Sequence, residues 1–99
     1  MRKIHRIIHN LKDELCSSKE YAEKYVEKKV EGNNAWANRY REMSNDELNH
    51  AAYIYDLLNE KVRDISNVYK MKEEDEELVE KWHRKYAEFT ALIKQMLSI

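Results

Sequence analysis

The chain of 99 residues contains no proline, one glycine and one cysteine. Because proline and glycine are the residues that most often interrupt helices, their scarcity favours long uninterrupted helices. Charged residues make up 37% of the chain, which is typical of helical surfaces rather than of sheet. A single cysteine excludes an internal disulfide, and Cys16 falls on the polar side of its helical pattern, where we expect a surface thiol.

Long apolar runs are also missing. No stretch approaches the roughly 20 apolar residues that a membrane span requires, and the first residues lack the apolar core of a signal peptide. The net charge of −1 gives no electrostatic basis for binding nucleic acid, which requires a concentrated basic face. Hydrophobic residues, at 42%, suffice for a core. We therefore expect a soluble cytoplasmic protein that binds neither nucleic acid nor membranes.

Apolar residues recur at helical spacing along the whole chain, which predicts one all-α domain over residues 1–99. The helices are expected at about 2–31, 35–68 and 73–97. Gly32 can take the left-handed conformation that ends the first helix, and Asn34 can cap the second. So short a connection forces the first two helices into an antiparallel hairpin. A second turn is expected near Tyr69–Lys72.

The first and third helices each have one mainly apolar face, which we expect to form the core. The first helix contributes Ile4, Ile7, Ile8, Leu11, Leu15, Ala22, Tyr25, Val26 and Val30. The third contributes Leu78, Val79, Trp82, Tyr86, Phe89, Ile93, Met96 and Leu97. His5 and His9 lie off this face, and because no third ligand is evident near them, we expect a surface pair. The acidic residues at 73–77 complement the dipole of the third helix.

The second helix carries polar residues within its apolar stripe. At 100° per residue, one face within roughly ±60° combines Trp36, Tyr40, Met43, Glu47, His50, Ile54, Leu57 and Lys61. A buried carboxylate is normally paired, protonated or bound to a metal, because burying it alone costs several kcal/mol. Glu-x-x-His on an inward helix face is also a recurring half-site of di-iron and di-manganese proteins. Glu47 and His50 therefore predict a metal site, and the alternative is a buried polar pair satisfied by a residue across the helix interface.

A second carboxylate should face Glu47 across the hairpin. Glu47 follows Gly32 by 15 residues, so its partner should precede Gly32 by about 12 to 18 residues, which leaves Glu14 and Glu20. Glu20 points almost opposite the apolar face, whereas Glu14 lies at its edge, about 70° from the centre. Glu14 is the better candidate, and its edge position could also suit a seam between two hairpins.

The stretch from Glu14 through Gly32 to Glu47-Leu48-Asn49-His50-Ala51 resembles the first helical hairpin of rubrerythrins and other ferritin-like proteins. Asp13-Glu14-Leu15, Tyr21-Ala22-Glu23-Lys24 and Met43–His50 are also similar to small ferritin-like proteins commonly encoded by bacteriophages. The resemblance covers roughly residues 10–60. It implies that Glu14, Glu47 and His50 take the positions of metal-binding residues in a di-iron or di-manganese centre, with ferroxidase or peroxide-related activity as the chemistry such centres support.

The chain departs from that family in having one hairpin and a single further helix, where a full bundle has four helices. The third helix contains a second Glu-x-x-His, but Glu80 points nearly outward and His83 lies about 80° from the apolar face, so both are weaker metal candidates. One Glu and one Glu-x-x-His form half of a di-metal site, and a twofold axis would supply the other half. We therefore expect a homodimer or higher oligomer. Two alternatives stay open: a metal-free helical structural or interaction protein that retains the fold, and a metal-storage module without turnover.

Overall fold

The computed structural model describes residues 2–99, and within them every regular element is a helix. The helices are α1 (Arg2–Val30), α2 (Asn34–Val68) and α3 (Glu73–Leu97). The all-helical class predicted from composition and periodicity is confirmed, and each helix begins and ends within one residue of its expected bounds. None of the described helices has a stretch long and apolar enough to cross a membrane.

The connection between α1 and α2 is a tight helix end centred on Gly32, whose φ is +78°. The Gly32 N–H donates a hydrogen bond to the Lys29 carbonyl at 3.0 Å, and the Asn33 N–H donates one to the Lys28 carbonyl at 2.9 Å. This pair of hydrogen bonds is common at the C-terminal ends of helices. The N-cap of α2 is Asn33, whose side chain accepts a hydrogen bond from the Trp36 N–H at 3.3 Å. The prediction that Asn34 caps α2 is wrong by one residue, because Asn34 is already the first residue of the helix.

The three helices run up, down and up in a bundle 54 Å long. α1 and α2 form the antiparallel hairpin, and α3 packs along α1 in the same direction, with far less contact to α2. At one end, His5 near the start of α1 contacts Asp75 near the start of α3. At the other end, the Arg41 guanidinium near the start of α2 donates to the carbonyl of Leu97 at the end of α3. These contacts fix the direction of α3.

The apolar core lies mainly along α1, which is covered by α2 on one flank and by α3 on the other. At least nine-tenths of the surface of each of its members is buried, and the members are Ile4, Ile7, Ile8, Leu11, Leu15, Ala22, Tyr25, Ala37, Leu48, Ala51, Leu58, Met71, Val79, Trp82, Ile93 and Leu97. Most of the residues expected from α1 and α3 are buried or pack against this core, and Val30 is exposed at the end of its helix. Cys16, expected at the surface, is free and partly buried.

The core-facing side of α2 differs from the expected one. The residues it buries are Ala37, Ser44, Leu48, Ala51 and Leu58, most of them small. The bulkier residues expected in the core lie on the adjacent flank, where Trp36, Met43 and Leu57 are 44%, 40% and 41% exposed. Small side chains let α1 and α2 approach closely, whereas the sequence pattern was dominated by the large ones. We call the flanking set, Trp36, Tyr40, Met43, Ile54 and Leu57, the α2 stripe.

Candidate metal centre

Glu14, Glu47 and His50 come together at the seam between α1 and α2. One ligand atom from each residue lies within 4.8 Å of the other two, and among residues 2–99 this is the one group of three or more such side chains. The hairpin brings the Glu14 side chain opposite the Glu47–His50 turn of α2, in the register deduced from the distance of each to Gly32. The convergence of the three side chains follows the spacing of the sequence, and metal binding by them stays a prediction.

The distances from His50 to the two carboxylates are longer than hydrogen bonds and close to those between ligands of one ion. Nδ1 of His50 lies 3.7 Å from Oε2 of Glu14 and 3.8 Å from Oε1 of Glu47. Donor atoms about 2.1 Å from a shared divalent ion lie about 3–4 Å apart, so small side-chain rotations would suffice. The buried Oε2 of Glu14 has no hydrogen-bond partner, which is costly for a carboxylate oxygen. A cation or a hydrogen-bond donor bound at this oxygen would therefore stabilise the cluster.

The two carboxyl groups are close enough to alter each other's protonation. The pKa of Glu47 is raised, mainly because its protonated form can donate a hydrogen bond to the carboxylate of Glu14, and further by burial and by the Glu14 charge. The nearby His50 acts in the opposite direction. Two carboxylates sharing a half-buried site favour a shared proton unless a cation replaces it. The electrostatics of the site therefore favour binding of either a proton or a metal ion between the two carboxylates.

A pair of serines fixes the register of this part of the hairpin. The Ser18 hydroxyl donates to the Ser44 carbonyl, and the Ser44 hydroxyl donates to the Ser18 carbonyl, each at 2.8 Å. Both residues are fully buried. Ser18 lies one turn after Glu14 and Ser44 nearly one turn before Glu47, so this contact holds the two carboxylates opposite each other. Sequence reasoning missed these residues, although serine at a core-facing helical position between apolar neighbours was a detectable signal.

The site lies on the face of the hairpin that α3 leaves open. His5, which reaches α3, is half a turn around α1 from Glu14, and Tyr55, which also contacts α3, is about 140° around α2 from His50. The side chains of Glu14 and Glu47 are 29% and 27% exposed, and that of His50 is 57% exposed. The expectation that these groups point into the bundle core is therefore corrected: they line its open seam. The α2 stripe continues on both sides of them.

The second Glu-x-x-His, Glu80 and His83, does not form a comparable cluster. Glu80 is exposed, and the Nδ1 atom of His83 is 2.6 Å from the Tyr55 hydroxyl. No third ligand-type side chain joins them within the described part of the chain. The exposure of Glu80 agrees with its predicted outward angle, whereas His83 is partly buried against Tyr55, and neither residue is part of the candidate centre.

The expected surface pair of His5 and His9 is exposed, but each histidine has an acidic partner. Nε2 of His9 lies 3.4 Å from Asp13, and Nε2 of His5 lies 3.0 Å from the buried Asp75. The hydrogen bond with His5 lowers the pKa of the Asp75 carboxyl group. Sequence reasoning treated Asp75 only as part of the acidic first turn of α3. Its burial depends on how α1 and α3 align, which periodicity within one helix does not reveal.

Comparison with known proteins found no matching family model, no matching curated protein and no matching solved structure.

Proposed function

We propose that this chain is a small ferritin-like metal-binding protein in which Glu14, Glu47 and His50 hold Fe²⁺ or Mn²⁺ in one half of a di-metal centre. The observation that carries the proposal is the convergence of two carboxylates and an imidazole around a buried carboxylate oxygen that has no hydrogen-bond partner. Two carboxylates neutralise one divalent cation, and the imidazole adds a donor of intermediate softness. When bound, such ions supply Lewis acidity and one-electron redox chemistry, the basis for ferroxidase or peroxide-related activity.

A second copy of the chain is the simplest way to complete this centre. Three protein ligands are fewer than the six that Fe²⁺ or Mn²⁺ commonly takes, and the open seam leaves one side of the cluster accessible. The exposed apolar residues of the α2 stripe, Trp36, Met43 and Leu57, flank the cluster on the same side. A twofold axis through this face would bury the stripe against its own copy and bring four carboxylates and two imidazoles together.

The rival proposal is a metal-free helical scaffold. The electrostatics of the same cluster are compatible with it, because the cluster can be stable without a metal ion. A proton shared by Glu14 and Glu47, which the raised pKa of Glu47 favours, would relieve the repulsion between the carboxylates without a cation. The two proposals differ in what Glu47 does. In the metal protein it is a ligand, whereas in the scaffold it is a hydrogen-bonding partner.

Titration calorimetry with Mn²⁺ and anaerobic Fe²⁺ on tag-free protein distinguishes the two. If the chain is a metal protein, we expect saturable binding of the metal ion to the wild-type chain and no binding to Glu47→Gln. The helical content of the variant, measured by circular dichroism, should be unchanged. Glu42→Gln is the matched control, since Glu42 is an exposed glutamate on the same helix but outside the cluster. Absence of binding to the wild-type chain, or equal binding by Glu47→Gln, would favour the scaffold.

A further inference from the structure

Tyr55, His83 and Tyr86 form a compact aromatic group between α2 and α3, away from the candidate metal centre. The Tyr55 hydroxyl lies 2.6 Å from Nδ1 of His83, and the two rings meet edge to face with centroids 5.4 Å apart. On its other side, the Tyr55 ring stacks on Tyr86 at 3.9 Å with only 5° between the ring planes. All three side chains are partly buried. Among residues 2–99 no other tyrosine has a hydrogen bond to a histidine.

This arrangement suits the one-electron oxidation of a phenol. A tyrosine that loses an electron becomes a strong acid, so oxidation is easiest when a base already holds the phenolic hydrogen. Nδ1 of His83 is within the reach required of a general base, in the tautomer that carries its own proton on Nε2. The parallel ring of Tyr86 provides a polarisable neighbour for the electron-poor Tyr55 ring.

We propose that Tyr55 is a redox-active tyrosine that gives one electron to a strong oxidant while its phenolic proton moves to Nδ1 of His83. The products on the protein are a neutral tyrosyl radical and an imidazolium ion. The oxidant is of the hydroxyl-radical class, which ferrous iron and hydrogen peroxide generate together; it takes the electron, becomes hydroxide and is protonated by solvent. This biological role rests on the metal function proposed above, whereas the chemistry of the Tyr55–His83 pair does not.

The position of the pair fits such a role. Tyr55 follows His50 by five residues on α2, an axial rise of about 7.5 Å, and faces α3 on the opposite flank of the helix. An oxidising equivalent formed at the open seam would therefore be transferred to a site about one and a half turns away, on the side of α2 that faces α3. Glu14, Glu47 and His50 would be spared from oxidation as a result.

The test uses metal-free wild-type protein and photogenerated tris(bipyridyl)ruthenium(III), with freeze-quenched electron paramagnetic resonance as the readout. We expect a tyrosyl signal with a coupling from the hydrogen-bonded imidazole proton that disappears in D₂O. Tyr55→Phe should lose this signal. Tyr53→Phe, a 75% exposed tyrosine on the same helix, should retain it. His83→Gln should lower its yield by about tenfold or more, because glutamine can accept the hydrogen bond but not the proton.

Retention of the signal in Tyr55→Phe, its equal loss in Tyr53→Phe, or an unchanged yield in His83→Gln would overturn the proposal. If Tyr55→Phe fails to fold, the exchangeable coupling in the wild-type protein decides alone, and its absence overturns the proposal. Mn²⁺ titration of Tyr55→Phe distinguishes a failure of the metal-binding proposal from a failure of the tyrosine-oxidation proposal. Tyr55 contributes no ligand, so this variant should bind metal like the wild-type chain even where the radical is lost.

Discussion

Ser18 and Ser44 exchange hydrogen bonds across the interface of α1 and α2, about one turn from the carboxylates that define the candidate metal centre. Each hydroxyl is fully buried and donates to the carbonyl of the other residue. The pair fixes the register of the two helices, because a slip of either helix would leave two buried hydroxyls without hydrogen-bond partners.

Ser18→Ala should destabilise the protein by about 1 kcal/mol, since it removes one of the two donated hydrogen bonds and leaves the Ser44 hydroxyl with its acceptor. Ser18→Val should cost about 1–3 kcal/mol through overpacking, and by separating the helices it should also weaken metal binding. Urea denaturation and Mn²⁺ titration of both variants measure these effects. A Ser18→Val protein with wild-type stability and affinity would show that the close contact does not position the site.

The stability of the metal-free protein should depend on the protonation of Glu47. Its pKa is raised in the folded chain above the ordinary value of 4.5, so the folded state holds this proton more tightly than the unfolded state does. The resulting stabilisation is complete below about pH 4.5 and is lost as the pH rises through the raised folded pKa. Denaturation of wild-type and Glu47→Gln proteins across this range measures it as the difference between them. Parallel stability curves would show that Glu47 does not hold the proton.

Gly32 should be important for the hairpin through its backbone alone. Its φ of +78° is unfavourable for residues with a Cβ, and no atom outside its chain neighbours lies within 4 Å of where that Cβ would be. Gly32→Ala should therefore cost about 1–2 kcal/mol of conformational strain without a steric clash. Gly32→Asn should cost less, since asparagine tolerates this region better. Equal stability of the wild type and Gly32→Ala, measured by urea denaturation, would contradict the assigned turn.

The α2 stripe should mediate self-association if a second copy completes the site. Leu57→Lys places a charge within the stripe and should shift the protein towards monomer in sedimentation velocity. Tyr53→Lys, which alters an exposed aromatic residue outside the stripe, is the control and should leave association unchanged. A wild-type chain that sediments as a monomer at micromolar concentration would overturn the expectation of a homodimer.

The sequence contained enough to predict the helices and the convergence of three side chains, because both depend on short-range periodicity and on distance from one turn. Glu14 and Glu47 could be paired once Gly32 fixed the hairpin. The buried face of α2 could not be predicted in the same way. Its small residues, such as Ala51 and Ser44, have little weight in a hydrophobic pattern, yet they are among the residues that α2 buries. The burial of Asp75 likewise depends on the alignment of α1 with α3, which no single-helix pattern contains.

Native mass spectrometry of the tag-free protein after anaerobic Fe²⁺ or Mn²⁺ loading tests the central proposal most directly, because it reports metal and chain number together. We predict a dimer that carries two metal ions, and metal-free chains in the Glu47→Gln protein treated in the same way. Wild-type chains that remain metal-free, or Glu47→Gln chains that carry the same metal content, would contradict the assignment of Glu14, Glu47 and His50 as a metal centre.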